Sequence, residues 1–161
     1  MPLPLTPSLV GTLDLSAASG IVASRGELIV AADDGVRLVR FDRHGQRVGA
    51  LDLGLPELPE EPKLRKRRKP DFEALTHLEG DVTFAVGSGS TEARRLGKRV
   101  DLASGLVRDV DLAPLYLSLV DSFAELNIEG ATLYDRYLVL AQRGNGTANS
   151  SAIVLLDRAR A

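Results

Sequence analysis

The chain has 161 residues, the size of one domain, and its 44% hydrophobic and 26% charged residues are ordinary for a globular protein. A net charge of −2 gives no whole-chain field that would attract nucleic acid or an anionic membrane. The lack of cysteine excludes a disulfide scaffold and thiolate metal sites, and two histidines exclude a site with three histidine ligands. No apolar run is long enough to span a membrane and no basic, apolar leader opens the sequence, so we expect a cytoplasmic protein.

Short strand-like segments bounded by turn residues dominate the chain from residue 18 onwards. The first group comprises residues 19–23, 27–33, 36–41 and 47–53. Asp34 and Gly35 separate its second and third segments, and this dipeptide is a strong signal for a tight hairpin. The group predicts a four-stranded antiparallel meander over about residues 18–53.

The same grouping recurs over about residues 71–112 and again over about residues 127–157. The first strands align at Ser19, Glu73 and Glu129, so the repeats are 54 and 56 residues apart. One meander per repeat at a nearly constant period is typical of β-propeller blades.

The third blade is one strand short, because no strand-like segment follows residue 157. Residues 9–15 predict an additional strand ahead of the first blade, and a leading strand that completes the last blade closes many propellers. We therefore predict that residues 1–161 form a single all-β half-propeller domain of three four-stranded blades. Because propellers have about 4–8 blades, we expect two chains to form a homodimer that closes a six-bladed ring.

Two inserts separate the predicted blades. Residues 54–70 are rich in proline and contain the basic run 63–69, which favours an exposed loop. The run has no interleaved aromatic residues that would stack on bases, so we do not expect nucleic-acid binding. Between the second and third blades, apolar residues recur at helical spacing after Pro114, which predicts one amphipathic helix over residues 113–126. Its apolar face comprises Tyr116, Leu119, Val120 and Phe123.

Several segments resemble an uncharacterised bacterial family of propeller-like proteins. They are ASG at 18–20, AADD at 31–34, KPDFEAL at 69–75, GSGS at 87–90, PLY at 114–116, LNIEGA at 126–131 and QRGN at 142–145. Their order and spacing carry the resemblance. That family is distantly similar to propellers described as phytase-like or esterase-like. The resemblance implies a propeller fold, covers the N-terminal half of a family member, and implies no particular reaction.

Glu73 and Glu129 are the candidate metal ligands. In a propeller the first strand of each blade lines the central channel, so the two carboxylates are predicted to face the same axis. Converging carboxylates need a cation or a basic side chain to neutralise them. Ca²⁺ is the first candidate, because it is a hard ion that prefers oxygen ligands, and phytase-like propellers similarly place acidic residues at this end of their blades. The alternative is pairing with backbone N–H groups or with a basic residue such as Arg143 or Lys69.

The loops that follow the second strands offer candidate ligand-binding groups. These are Asp33 and Asp34 in the first blade, Ser88, Ser90 and Arg94 in the second, and Arg143 and Asn145 in the third. Backbone amides of a Gly-Ser loop form an anion-binding nest, and an arginine adds a bidentate clamp. The alternative is that these are ordinary turns, in which Asp, Asn and Gly supply the required backbone angles.

Two classes of function remain open from the sequence. The first is a propeller that binds a cation or a small anionic ligand in its channel, with metal-assisted hydrolysis as the reaction class. The second is a non-catalytic scaffold for protein interaction, or a truncated or engineered half-propeller that self-assembles. Fold alone does not decide between them, and nothing in the sequence names a substrate.

Overall fold

The computed structural model describes residues 8–123, 125–144 and 150–159. Three antiparallel sheets contain strands that pair in chain order. The first sheet consists of β1 (Ala18–Ser24), β2 (Glu27–Ala32), β3 (Arg37–Phe41) and β4 (Arg47–Asp52). The second consists of β5 (Phe72–Glu79), β6 (Val82–Gly87), β7 (Leu96–Asp101) and β8 (Val107–Asp111). The third consists of β9 (Ile128–Tyr134), β10 (Tyr137–Gln142) and β11 (Ala152–Asp157). The predicted meanders, including the three-stranded third one, are confirmed.

One backbone hydrogen bond repeats in every sheet and ties the end of its second strand to the start of its first. The N–H groups of Asp33, Ser88 and Arg143 donate to the carbonyl oxygens of Ala17, Asp71 and Asn127, respectively, at 2.9–3.1 Å. The second sheet is joined to the first by the Asp71 N–H, which donates to the Asp33 carbonyl oxygen at 3.1 Å. The first strands therefore lie side by side, β1 next to β5 and β5 next to β9, as in neighbouring propeller blades.

Two apolar layers hold the three sheets together. The layer between the first and second sheets comprises Ile29, Ala31, Leu38, Leu53, Phe72, Leu75, Ala85 and Val100. The layer between the second and third sheets comprises Ala74, Phe84, Val86, Leu112, Tyr116, Leu126, Ile128, Leu138 and Leu140. Because successive side chains of a strand point to opposite faces, β6 contributes Ala85 to one layer and its two neighbours to the other. Each sheet is thus packed on the face of the next.

Residues 8–17 contain no strand in this chain, in contrast to the strand predicted over residues 9–15. Leu13 and Leu15 instead pack against Val39 and Phe41 on the outer face of the first sheet. Their burial there places the segment at the opposite end of the three sheets from β11. It is therefore too distant to complete the third blade of its own chain, and pairing with a partner's β11 stays a prediction.

A short helix, α1 (Pro62–Arg68), occupies the insert that was predicted to be a loop. The Glu61 carboxylate caps it, because it accepts the N–H groups of Lys63 and Leu64 at 2.9 Å. Pro62 sits in the first turn, where its missing N–H has no intrahelical partner to lose. The basic residues of the last turn interact favourably with the helix dipole. The basic run therefore lies on a capped helix.

The second helix, α2 (Ala113–Leu119), begins where it was predicted but ends before residue 126. The carbonyl oxygen of Leu119 accepts N–H groups from both Ser122 and Phe123, at 2.9 and 3.2 Å, so the chain turns there. Asp and Ser at positions 121 and 122 favour such a turn over a helix interior. Val120 is consequently exposed, whereas Phe123 still packs against the layer between the second and third sheets. No helix in the described ranges has the length and apolarity needed to cross a membrane.

Tyr116 of α2 holds the loop that follows β6. Its side chain is fully buried, and its hydroxyl donates to the Gly87 carbonyl oxygen at 2.5 Å. Burial raises the pKa of Tyr116, which keeps the phenol protonated as a donor. Gly89 has φ +74°, and a Cβ there would lie 2.8 Å from the Tyr116 ring. The position therefore requires glycine both for its backbone angle and for space.

Replacement of Tyr116 by phenylalanine should remove the buried hydrogen bond to the Gly87 carbonyl oxygen. Loss of one hydrogen bond costs about 0.5–1.5 kcal/mol, so Tyr116→Phe should lower the free energy of unfolding by that amount in urea titrations. The matched control is Tyr134→Phe, because the Tyr134 side chain is 73% exposed, and it should change stability by less than about 0.5 kcal/mol. Equal effects of the two substitutions would contradict the role given to the Tyr116 hydroxyl.

Candidate functional site

A polar cleft of about 610 Å³ opens between the second and third sheets, where their first strands begin. Its basic lining residues are Lys66, Lys69, Arg94, Arg95 and Arg143, and its acidic ones are Asp71, Glu73, Glu125 and Glu129. An apolar patch of Val120, Phe123 and Leu126 completes one wall. A cleft of this volume is in the range of small-molecule sites. We call it the axial cleft.

Asp71 is the buried centre of the charged groups next to the axial cleft. Its carboxylate accepts hydrogen bonds from Lys69 at 2.6 Å and from the Ser88 hydroxyl at 2.6 Å, and it pairs with Arg94 at 2.9 Å. The Lys69 ammonium also bonds to Asp33. Burial alone would lower the pKa of Lys69, but its hydrogen bonds to the two carboxylates outweigh that effect and raise the pKa. One carboxylate therefore joins the α1 insert to the loop after β6.

The loop after β6 directs its hydroxyl groups towards these charges. Arg94 donates to the Ser90 hydroxyl at 2.8 Å and to the Lys66 carbonyl oxygen at 3.1 Å. The hydroxyl oxygens of Ser88 and Ser90 lie 2.9 Å apart. Both serines predicted to bind a ligand are thus engaged with Asp71 and Arg94, so the loop is braced from within.

Glu129 is neutralised by its own neighbours. Its carboxylate accepts a hydrogen bond from the Asn127 amide at 2.6 Å and pairs with Arg143 at 2.9 Å. Asn127 is itself held in place, because its backbone N–H donates to the buried Gln142 side chain at 2.8 Å. The pairing of Glu129 with Arg143 is the alternative to metal ligation that the sequence left open.

Glu73 occupies the equivalent position on β5 and has no such neutralising contact. Within the described residues, no group forms a hydrogen bond or an ion pair with its half-buried carboxyl. Burial raises the pKa of Glu73 to about 7, and the negative charges of Asp71, Glu129 and Asp33 act in the same direction. The positive charge of Lys69 opposes the rise but does not cancel it. The carboxyl therefore changes charge near neutral pH, which is typical of functional acids.

Arg95 is the cationic counterpart of Glu73. Its side chain forms no hydrogen bond or ion pair with any described residue, and its Nε is buried without a partner. A buried donor without an acceptor costs about 1–3 kcal/mol. The axial cleft thus contains an acid and a guanidinium that the fold leaves without contacts.

Three carboxylates near the axial cleft approach one another closely enough to share a cation. Oxygens of Asp33, Asp71 and Glu73 all lie within 4.8 Å of one another. The Lys69 ammonium already contacts two of the three. A divalent ion at this point would have to displace that ammonium.

Asp34, another residue predicted to bind a ligand, lies away from the axial cleft. Asp34 accepts a hydrogen bond from the Ser16 hydroxyl at 3.2 Å and lies 3.8 Å from Arg65, next to a different depression. Asn145 lies outside the described residues. The side chains of the two adjacent aspartates after β2 therefore have different partners. Asp33 contacts Lys69 of the charged cluster, whereas Asp34 contacts Ser16 and Arg65.

Sequence reasoning did not single out Asp71 or Arg95 as site residues. A usable signal was present for Asp71, because it lies two residues before Glu73 just as Asn127 lies two before Glu129. Nothing in the sequence separates Arg95 from Arg94, since only the fold shows which of the two guanidinium groups is already occupied.

Three packed antiparallel meanders whose first strands meet beside a charged cleft define an all-β protein of propeller-like architecture. The chain belongs to a family of unknown function, DUF6929, whose family model matches residues 14–161. No curated protein matches the chain significantly in sequence.

Solved structures support the fold at low sequence identity. The chain is similar to hydrazine synthase of Kuenenia stuttgartiensis, with 14% identity, a TM-score of 0.54, and coverage of 93% of this chain and 35% of that one. It is also similar to glutaminyl cyclase of Myxococcus xanthus, with 15% identity, a TM-score of 0.52, and coverage of 87% of this chain and 56% of that one. The chain therefore spans about a third to a little over half the length of these two proteins. At these identities the likeness shows the fold alone.

The raised pKa of Glu73 should make the protein less stable as the pH rises. The group titrates near 4.5 in the unfolded chain and near 7 in the folded one, so between these values only the folded state keeps the proton, and stability falls with increasing pH. Glu73→Gln removes the ionisation. Its Tm should therefore rise relative to wild type between pH 5 and pH 8 in thermal unfolding. Glu79→Gln, an exposed position on the same strand, should run parallel to wild type, and a parallel curve for Glu73→Gln would contradict the shift.

Loss of the Asp71 charge should leave Lys69 and Arg94 with fewer partners in a buried setting. Breaking a buried ion pair from one side costs about 3–5 kcal/mol, so Asp71→Asn should lower the free energy of unfolding by about that amount at pH 7. Asparagine tolerates the positive φ of 56° at this position, so the backbone is not the cause. Asp135→Asn is the matched control, because Asp135 has φ 54° but is exposed. A small effect at both positions would show that the Asp71 cluster is not stabilising.

Proposed function

We propose that the axial cleft binds a small organic molecule that carries an anionic group and that Glu73 exchanges a proton with it. The observation that carries this proposal is the presence of Glu73 and Arg95 in one cleft, neither with a partner among the described residues. Other charged groups of the cleft already form ion pairs with one another. Asp71 pairs with Lys69 and Arg94, and Glu129 pairs with Arg143. Binding to Glu73 and Arg95 disturbs none of these pairs.

Arg95 supplies the anion-binding group in this proposal. A guanidinium binds a carboxylate or phosphate through two parallel hydrogen bonds, in a geometry that an ammonium does not offer. A bound anion would also satisfy the buried Nε of Arg95. The Lys66 side chain lines the same cleft and adds positive charge. The apolar wall of Val120, Phe123 and Leu126 favours a ligand whose body is partly apolar.

Glu73 supplies the acid–base group. With a pKa of about 7, the carboxyl is populated in both protonation states at neutral pH, which is the condition for efficient general acid–base catalysis. The reaction class this supports is proton transfer to or from a bound organic anion. Metal-assisted hydrolysis is the alternative reaction class, and it requires a bound metal ion in addition to these groups.

A calcium site formed by Asp33, Asp71 and Glu73 is the second candidate. Its support is the mutual approach of the three carboxylates within 4.8 Å, with oxygen ligands of the type Ca²⁺ prefers. It ranks second because Lys69 already neutralises two of the three groups. Calcium binding would also lower the pKa of Glu73, since a nearby positive charge favours the carboxylate.

Thermal unfolding with added phosphate or citrate, against sodium chloride of equal ionic strength, tests the anion proposal. At about ten times the dissociation constant, either anion should raise the Tm of wild type by about 3–5 °C. Arg95→Met should lose this rise. Arg108→Met, an exposed arginine on β8 outside the cleft, should keep it. No rise in wild type, or an equal rise in Arg95→Met, would contradict anion binding by this residue.

The same assay with calcium chloride separates the second candidate. A rise in Tm with calcium that Glu73→Gln abolishes and Arg95→Met retains would favour the calcium site over the anion site. A rise with the anions that Arg95→Met abolishes, without a calcium effect, would favour the first proposal. The absence of both effects would favour the non-catalytic scaffold.

A further inference from the structure

We propose that the outer face of the third sheet is an interface for a second copy of this chain and that it packs against the first sheet of that copy. Two chains joined head to tail in this way close a six-bladed ring. The apolar part of this outer face is defined by Val139, Ala141, Ile153 and Leu155. The proposal is independent of the ligand assigned to the axial cleft.

The outer face of the third sheet is apolar and exposed in the single chain. Val154 and Leu156 of β11 pack towards the second sheet, so the alternate residues Ile153 and Leu155 point away from it. These two side chains are 67% and 59% exposed. Cross-strand pairing places Leu155 opposite Val139, and Ile153 opposite Ala141. The exposed apolar side chains are therefore contiguous, which marks an interaction surface.

β11 also leaves a free edge. It pairs with β10 and with no other described strand, so one row of its backbone N–H and C=O groups has no ladder partner. Edge strands are usually protected by charges, proline or a bulge. Residues 152–156 read Ala-Ile-Val-Leu-Leu and contain none of these protecting residues, and the register with β10 is regular. Such an edge is suited to accept a further strand.

The packing within the chain indicates what covers the outer face. The first sheet packs on the second, and the second packs on the third, each time with one face of a sheet against the opposite face of the next. A third contact of the same kind needs a surface like that of the first sheet. Contacts that run head to tail close into a ring when the rotation completes a full turn. Two chains supply six blades, a number that propellers use.

The first sheet of a second copy offers the complementary surface. Its outer face carries the apolar residues Val30, Val39 and Phe41, which are covered by Leu13 and Leu15 from the segment before β1. Ile21 lies opposite Val30 on β1 and is 58% exposed. This face is therefore apolar, and its cover is a short segment without strand pairing.

The segment over residues 8–15 supplies the strand that pairs with the free edge of β11 in this arrangement. Leu9, Leu13 and Leu15 are separated by four and two positions. In a strand, residues at even spacing lie on the same face, so the three leucines would form one apolar face. Leu9 and Val10 are 86% and 69% exposed. Release of the segment from its own first sheet would uncover that face, and pairing with β11 of the partner would occupy the free edge. Exchange of one segment between identical chains is a low-cost route to a dimer.

Light scattering coupled to gel filtration tests the assembly at micromolar concentration. Wild type should elute with twice the 17.2 kDa mass of one chain. Leu155→Lys and Ile21→Lys should each give a monomer with an unchanged circular dichroism spectrum, because both side chains are exposed in the single chain. Leu106→Lys, at a 50% exposed position in the turn between β7 and β8, is the control and should remain dimeric.

Each alternative result overturns the proposal in a distinct way. A monomeric wild type would show that the outer face is not covered by a second copy. A dimer that persists in Leu155→Lys would place the contact elsewhere. A dimer that Leu155→Lys disrupts and Ile21→Lys does not would show that two third sheets pack face to face, without ring closure.

Discussion

The carboxylate of Asp71 ties together the parts of the chain that surround the axial cleft. It holds Lys69 of the first insert and Arg94 and Ser88 of the loop after β6. The backbone of the same residue bonds to the first sheet through Asp33. A buried charge is tolerated only when it is well paired, so these contacts must form together. The positions of the insert, the loop and the first two sheets are therefore coupled through one residue.

The ion pairs of Asp71 affect Glu73, which lies two residues further along the chain. Lys69 and Arg94 are committed to Asp71, so the nearby Glu73 gains no ion pair and instead experiences the negative charge of its neighbours. At the equivalent position of the third sheet, Glu129 has Arg143 as a partner. Two glutamates in matching places on the repeat thus have different surroundings, since one is paired with an arginine and the other is not. The difference arises from their partners, because local sequence is similar around both.

The fold was largely predictable, and the site only in part. Strands follow from alternation and turn residues, both of which are local, so the meanders and their period were correct. The α1 helix was not predicted, because the proline-rich and basic composition of the insert favoured a loop and the helix-start signal of Glu61 and Pro62 was not used. The early end of α2 depends on a turn at Leu119. The repeat marks the position of Asp71, but the partners of its carboxylate could not be derived, because they come together only through tertiary packing. The same holds for the position of residues 8–15, which Leu13 and Leu15 bind to the first sheet.

The central claim is that Glu73 is an unpaired acid which changes charge near neutral pH inside the cleft. A ¹³C NMR titration of the glutamate side-chain carboxyl carbons, with Glu73 assigned by comparison with Glu73→Gln, measures this directly. The account predicts a midpoint near 7 for Glu73. It also predicts that added phosphate, bound at Arg95 in the same cleft, moves the midpoint upward, because a second negative charge favours the protonated form. A midpoint near 4.5, the value of a solvated glutamate, would contradict the account.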